Sequence, residues 1–167
     1  MTGASTPSGT VFRLGAKRRT PGEHGLPKPE LLEARITVRG VEGDYNLYRE
    51  TKKAGDPEMA ILLMPLETLE DLNRDGWPVR PGDLGENVTT RGLPYPWLAP
   101  RRRVRLGEVV LETTRPCEPC DNLFQLPYVG PQKGPAFLKA TLGRRGWFAR
   151  VLREGTVRRA DPILPEP

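Results

Sequence analysis

The stretch Val104-Arg105-Leu106-Gly107-Glu108-Val109-Val110-Leu111-Glu112-Thr113-Thr114 decides the fold class. Val104 and Leu106 are separated by a cation, Gly107-Glu108 supplies a two-residue turn, and Val109, Leu111 and Thr113 alternate with Val110, Glu112 and Thr114. Successive side chains of an extended chain point to opposite faces, so this is the pattern of two half-buried strands joined as a hairpin. The second strand runs directly into Arg115-Pro116-Cys117-Glu118-Pro119-Cys120.

The same period recurs on either side. Ala34, Ile36 and Val38 alternate with Arg35, Thr37 and Arg39; Trp147 to Leu152 forms another run that stops at Gly155 and resumes at Val157; Thr10 to Leu14 reads as a first strand. Met59 to Met64 is apolar throughout, which fits a buried strand. One segment is helical: Pro65 suits a first turn, Glu67, Glu70 and Asp71 favour the positive N-terminal half, and Arg74 and Gly76 mark the end. Leu62, Leu66, Leu69 and Leu72 fall on its core face, and a second helix is expected over Ala136 to Leu142, closed by Gly143. Many short strands, Gly and Pro turns spread along the chain and few helices indicate a mainly β protein, a closed or nearly closed barrel with short helical insertions. A length of 167 residues suits one domain, placed at 10–163, with flexible ends at 1–9 and 164–167 and the chain loosely held from 160 onward.

Composition narrows the function classes. The two cysteines are three apart, unlike a disulfide-stapled secreted scaffold. No apolar run reaches the ~18 residues of a membrane span, and Met1 to Thr10 lacks the apolar core of a secretory signal, so the expected compartment is the cytoplasm with no membrane partner. The net charge of +5 includes Arg101 to Arg103 and the pairs Arg144-Arg145 and Arg158-Arg159. Such charge attracts nucleic acid or a phosphorylated small molecule. Acidic residues are interleaved with it and no aromatic-rich basic stretch accompanies it, so solvated arginines are the leading reading. A basic binding barrel stands as an alternative; nucleic acid is not the expected partner.

His24 is the sole histidine, in a Pro/Gly/Lys-rich loop, and no Gly-x-Ser-x-Gly elbow exists, which excludes the Ser-His-Asp route and makes His24 a surface residue. No Walker loop or Gly-x-Gly-x-x-Gly follows a strand. Cys117 and Cys120 leave several readings open. A thiolate is the reactive form, and Arg115 favours it. Flanking prolines and the lack of a βαβ pattern speak against a thioredoxin-like pair, and the shortage of further ligands against a zinc site. A single soft thiolate on a metal already held by another cofactor remains, and two buried thiols acting as small hydrophobes are the leading reading from chemistry alone. Three polar, glycine-containing segments stand apart: Gly25 to Lys28, Gly40 to Asp44, and Gly82 to Thr90. Glycine lets backbone N–H groups approach an anion closely, but a tight turn into a strand explains them equally.

Taken in order, these elements resemble the MOSC family, the domain named after the C-terminal part of molybdenum cofactor sulfurase. Gly25, Pro27 and Lys28 match its Gly-x-Pro-Lys element; Gly40, Gly43 and Asp44 its Gly-x-x-Gly-Asp element; Gly85, Glu86, Asn87, Val88 and Thr89 its Gly-Glu-Asn-hydrophobic-Thr element; Arg115, Pro119, Cys120 and Leu123 its Arg and Pro-Cys-x-x-Leu element. Arg145-Gly146-Trp147 and Gly155 to Asp161 resemble its closing strands, so about residues 10–163 are covered. Tyr45-Asn46 after the first Gly-Asp and Ala160 in the last depart from the pattern.

The resemblance implies a barrel of the pyruvate-kinase type. It also implies binding of the molybdenum cofactor (molybdopterin), with Cys120 as the sulfur ligand to molybdenum and the catalytic residue, and Cys117 as a neighbour. Lys28, Asp44, Gly85, Glu86, Asn87, Thr89, Arg91 and Arg115 are its candidate cofactor-binding residues, Lys28, Arg91 and Arg115 for the phosphate and pterin edge. The expected activity is an oxidoreductase acting on small, N-hydroxylated compounds. The alternative is a sulfur carrier bearing a persulfide on Cys120. A small-molecule substrate and an electron-donor or sulfurase partner protein follow.

Overall fold

The structure, a computed structural model, describes residues 6–167. Its strands begin with β1 (Gly9–Gly15), β2 (Glu30–Leu31), β3 (Glu33–Thr37) and β4 (Gly40–Val41), followed by helix α1 (Leu47–Lys52). Then come β5 (Ile61–Pro65), helix α2 (Leu66–Arg74), β6 (Val88–Arg91), β7 (Arg103–Leu106) and β8 (Val109–Pro116). Helix α3 (Gly130–Thr141) precedes β9 (Trp147–Arg153), β10 (Gly155–Arg158) and β11 (Pro162–Glu166).

The hairpin forms in the register its alternation requires, Val104 opposite Leu111 and Leu106 opposite Val109. From there the sheet runs β11-β7-β8-β9-β5-β6-β1, and β1 pairs back onto β11, closing a seven-stranded barrel. A smaller sheet, β10-β3-β4, packs its Ala34, Ile36, Val41 and Val157 into the barrel interior with Val11, Leu14, Leu106 and Leu111.

Strand β5 shows why a continuous apolar run was needed. Ile61 and Leu63 face the barrel interior, whereas Met64 packs under the helices with Leu69, Leu72 and Phe137, and Leu62 joins Met59 and Phe148. A strand covered on both faces has no solvent side to make polar. The same strand pairs in parallel with β6 through the α2 crossover and antiparallel with β9.

Several expectations shift. Leu62 belongs to β5, not to the helix; α2 starts at Leu66 and buries Leu66, Leu69 and Leu72. The second helix starts at Gly130, well before Ala136, because Pro131 suits its first turn. Phe124 packs so tightly on it that a Cβ at Gly134 would come within 2.4 Å of the ring. The C-terminal end is not loose: Ile163 is buried opposite Leu106 and Gly9, and Leu164 to Glu166 continue the pairing with β7. At the other end Gly9 is already in β1, and the rest of the expected flexible segment is described only from residue 6. Among the described residues no helix is long and apolar enough to cross a membrane.

Candidate functional site

Where β8 ends at Pro116, the chain lines a cavity of about 320 Å³ together with the Gly25–Lys28 loop, the Leu84-Gly85 turn, Tyr48 of α1, and Arg145 just before β9. Ligand pockets typically start near ~300 Å³, so the space suits a small molecule. Met59, Leu62, Phe148 and Leu26 form its apolar wall. Cys117, Cys120, His24, Lys53, Arg115, Glu118 and Arg145 bring the chemistry.

Behind this wall three of the polar segments meet. The Lys28 ammonium donates to Asp44 Oδ1 at 2.6 Å and to the Tyr45 carbonyl at 3.0 Å. Asp44 Oδ2 accepts from Asn87 Nδ2 at 2.8 Å, and Asn87 Oδ1 accepts from the Leu62 N–H of β5 at 3.0 Å. Both ends of the ion pair are buried, at 2% and 3% side-chain exposure. Desolvation pulls the Lys28 pKa down, while Asp44 beside it holds it up. Gly25 is required where this network closes: its φ is +88° and a Cβ would lie 2.3 Å from the Tyr45 carbonyl oxygen.

Glu86 is buried at 1% exposure. Its Oε1 accepts from the Gly82 N–H and, at 3.4 Å, from the Thr89 hydroxyl, while Oε2 has no partner among the described residues. Burial pushes its carboxyl pKa up, against the pull of the Gly82 N–H, Arg145 and Arg13. The unfolded value is about 4.3. Between that value and the raised folded one, the folded chain holds an extra proton, so the stability due to the neutral carboxyl is full below about pH 4 and is lost as pH rises through the folded pKa. Glu86→Gln cannot ionise. Urea unfolding from pH 4 to 8 is therefore expected to show the wild type losing stability relative to Glu86→Gln as pH rises; parallel curves would contradict a raised carboxyl.

The residues expected at the site thus divide. Lys28, Gly85, Arg115 and Cys120 line the cavity. Asp44, Glu86, Asn87 and Thr89 are buried supports behind it, and the Lys28 ammonium is committed to Asp44. Arg91 is elsewhere: it ends β6, stacks 4.6 Å over the Phe12 ring, and lines a separate recess with Glu30 and Arg159. Arg115 is a rim residue, its guanidinium 3.2 Å from Asp56, whose carboxyl is held low by the Glu58 N–H and by Arg115. His24 is half-buried and lines the cavity, with its Nδ1 shielded and unpartnered among the described residues.

The two thiols are both free and part-exposed, and they differ. Cys117 packs against Met59, Leu62 and Phe148, its N–H donates to the Gly146 carbonyl at 2.8 Å, and burial pushes its thiol pKa up although Arg145 pulls the other way. Cys120 precedes the 3-10 turn Asp121–Gln125, anchored by the buried Leu123. It lines both the cavity and a shallower groove formed with Tyr48, Asp121 and Asn122.

Arg145, Tyr48, Lys53 and Asn46 were not singled out for the site from sequence. Lys53 stacks over Tyr48 at 5.7 Å. Arg145 is 5% exposed, with Nε and Nη1 buried and unpartnered among the described residues. Among those residues no cluster of three His, Cys, Asp or Glu side chains could cage a metal ion.

The MOSC domain family profile matches residues 50–164, more than half of the chain. The chain belongs to the MOSC domain family. This MOSC domain is similar to the crystal structure of the YuaD protein from Bacillus subtilis, with a TM-score of 0.78 and 20% identity over 93% of this chain and 94% of that one. It is also similar to YiiM from Escherichia coli (TM-score 0.65, 21% identity, 95% of this chain and 70% of that one). YiiM from Geobacillus stearothermophilus gives 0.68 and 22%, over 94% and 73%. At these identities the likeness establishes the fold alone. No curated protein matches significantly. The expected barrel and family are thus those of this MOSC domain.

Proposed function

We propose that this MOSC domain binds the molybdenum cofactor in the Cys117–Cys120 cavity, with Cys120 as its sulfur ligand, and acts as an oxidoreductase on small N-hydroxylated compounds. The observation that carries the reading is the position of Cys120: a free thiol on the wall of a small-molecule cavity whose charged lining is Lys28, Lys53, Arg115 and Arg145 against Glu118 alone. One thiolate does not cage an ion, but a soft thiolate completes the shell of a metal that arrives with its own sulfur ligands. The residues present therefore fit the group, which when bound supplies two-electron redox chemistry.

The protein's own contribution is placement. The buried Leu123 fixes the turn that follows Cys120, while the Lys28–Asp44–Asn87 network fixes the loops opposite. Met59, Leu62 and Phe148 exclude water from one side. Arg115 and Lys53 supply positive charge at the mouth, and Cys120 is open to a reactant from the groove beside Tyr48. Purification from a cofactor-competent host should yield protein with near-stoichiometric molybdenum by mass spectrometry and a fluorescent oxidised pterin. Absence of both, with no uptake of added cofactor, would sink the reading.

A second reading is favoured by two free thiols sharing one cavity: a sulfur carrier with a persulfide on Cys120. It stands behind the first because burial keeps Cys117 in the thiol form, a poor attacker of a persulfide. A +32 Da adduct on Cys120, removed by reductant and formed without bound molybdenum, would reverse the order.

A further inference from the structure

The other buried cations near the cavity have partners. Lys28 has Asp44, and Arg49 donates to the carbonyls of Met59 and Ala60 at 3.2 and 3.0 Å. Arg115, more exposed, has Asp56. Arg145 differs: it is nine-tenths buried, it lines the cavity, and two of its three guanidinium nitrogens are shielded from solvent without a hydrogen bond among the described residues.

A guanidinium does not shed its proton in a protein. An ionised group left without a partner in a dry wall is costly, and natural interiors pair such groups. The nearby acid, Glu86, makes no hydrogen bond or ion pair with it among the described residues, and the Glu86 Oε2 is unpartnered as well. The remaining source of negative charge is a ligand.

We propose that Arg145 is the anion-binding residue of the Cys117–Cys120 cavity, its guanidinium taking a phosphate monoester or a carboxylate. The planar fork of arginine matches two oxygens of such a group at once, which a lysine ammonium does not. The anion has two sources. It is the terminal phosphate of a bound pterin cofactor, in which case the inference rests on the function proposed above, or it is the acidic group of a substrate, in which case it stands without it. Either way the ligand is held beside Cys117, whose thiol feels the Arg145 charge.

The test uses cofactor-free protein from a host that cannot make the pterin, titrated calorimetrically with phenyl phosphate, benzoate and uncharged benzamide. Wild type should bind the two anions and prefer them to benzamide. Arg145→Gln should weaken anion binding by roughly ten- to a hundredfold, the range expected for a charge-assisted hydrogen bond. Arg145→Lys should fall between, and Arg158→Gln, an exposed cation paired with Glu33, should bind as wild type. The Lys variant keeps the charge and so guards against a Gln variant that folds poorly, which circular dichroism checks directly. The proposal is overturned if wild type binds the anions no better than benzamide, or if Arg145→Gln binds phenyl phosphate with unchanged affinity.

Protein from a cofactor-competent host then separates the sources. Loss of co-purifying pterin in Arg145→Gln assigns the cofactor phosphate; retained pterin with lost benzoate binding assigns a substrate group. A wild type that carries no pterin but binds benzoate through Arg145 defeats the cofactor reading and leaves the anion site standing.

Discussion

Asp44→Ala is expected to destabilise the fold by about 3–5 kcal/mol, the usual loss when one member of a buried ion pair is removed. The carboxylate receives the Lys28 ammonium and the Lys17 N–H on Oδ1 and the Asn87 amide on Oδ2. Its removal strands the Lys17 N–H and leaves the Lys28 ammonium, 3% exposed, with the Tyr45 carbonyl but no counter-charge. Domains of this size have a total stability of about 5–15 kcal/mol, so the change takes a large share. Asp44→Asn keeps hydrogen-bonding atoms but not the charge and should lose less. Adding Lys28→Met to Asp44→Ala should recover part of the loss, because no uncompensated ammonium remains. Urea unfolding followed by circular dichroism measures all four proteins. An Asp44→Ala variant within about 1 kcal/mol of wild type, the effect of an ordinary surface pair, would show that the network is not what holds these loops.

Under the proposed function, Cys120→Ser is expected to abolish metal retention and the reductase activity that depends on it while leaving the fold intact. The side chain is half-buried, makes no hydrogen bond that packing depends on, and serine is nearly isosteric. A hydroxyl is a far harder donor than a thiolate and remains protonated at neutral pH, so it does not replace the sulfur on a soft metal. Losing an outer partner of a metal ligand typically costs about 10- to 100-fold, and losing the ligand itself should cost at least about 100-fold in reductase activity, with molybdenum content near background. Cys117→Ser should retain most of both. If Cys117→Ser loses the metal and Cys120→Ser keeps it, the ligand role belongs to Cys117 instead.

The barrel was readable because its strands carry their burial in their spelling. The 104–114 hairpin alternates, and β5 is apolar at every position because both of its faces are covered. What alternation does not carry is partnership. The parallel pairing of β5 with β6 depends on a crossover helix between them, and nothing in either strand names the other. Strand β11 lay in the segment expected to be loosely held; it begins at Pro162 and carries Pro165, yet Ile163 is buried opposite Leu106. Helix α1 was missed because Leu47–Lys52 has no apolar stripe; it is held by the Asn46 cap and by Arg49 reaching inward to two carbonyls.

The site was legible to a different degree. Motif order singled out Cys120 and Lys28, which line the cavity, and Asp44 and Asn87, which join Lys28 in a buried brace. Arg91 was chosen for its charge, and charge does not say on which side of a strand end a residue stands. Arg145 and His24 carry no local mark of burial, since loop residues reach a cavity only through tertiary packing.

The closure of the barrel has a consequence for how it is made. Its seam joins β1, near the start of the chain, to β11, near its end. Ribosomes extend a chain at about 5–20 residues per second, so Gly9 and Thr10 of β1 emerge well before their partners Ile163 and Pro162 in β11. During that interval the nascent sheet presents an open hydrogen-bonding edge of the kind that recruits neighbouring chains. Nascent chains arrested before Pro162 should be more sensitive to protease than those arrested once Glu166 has cleared the tunnel.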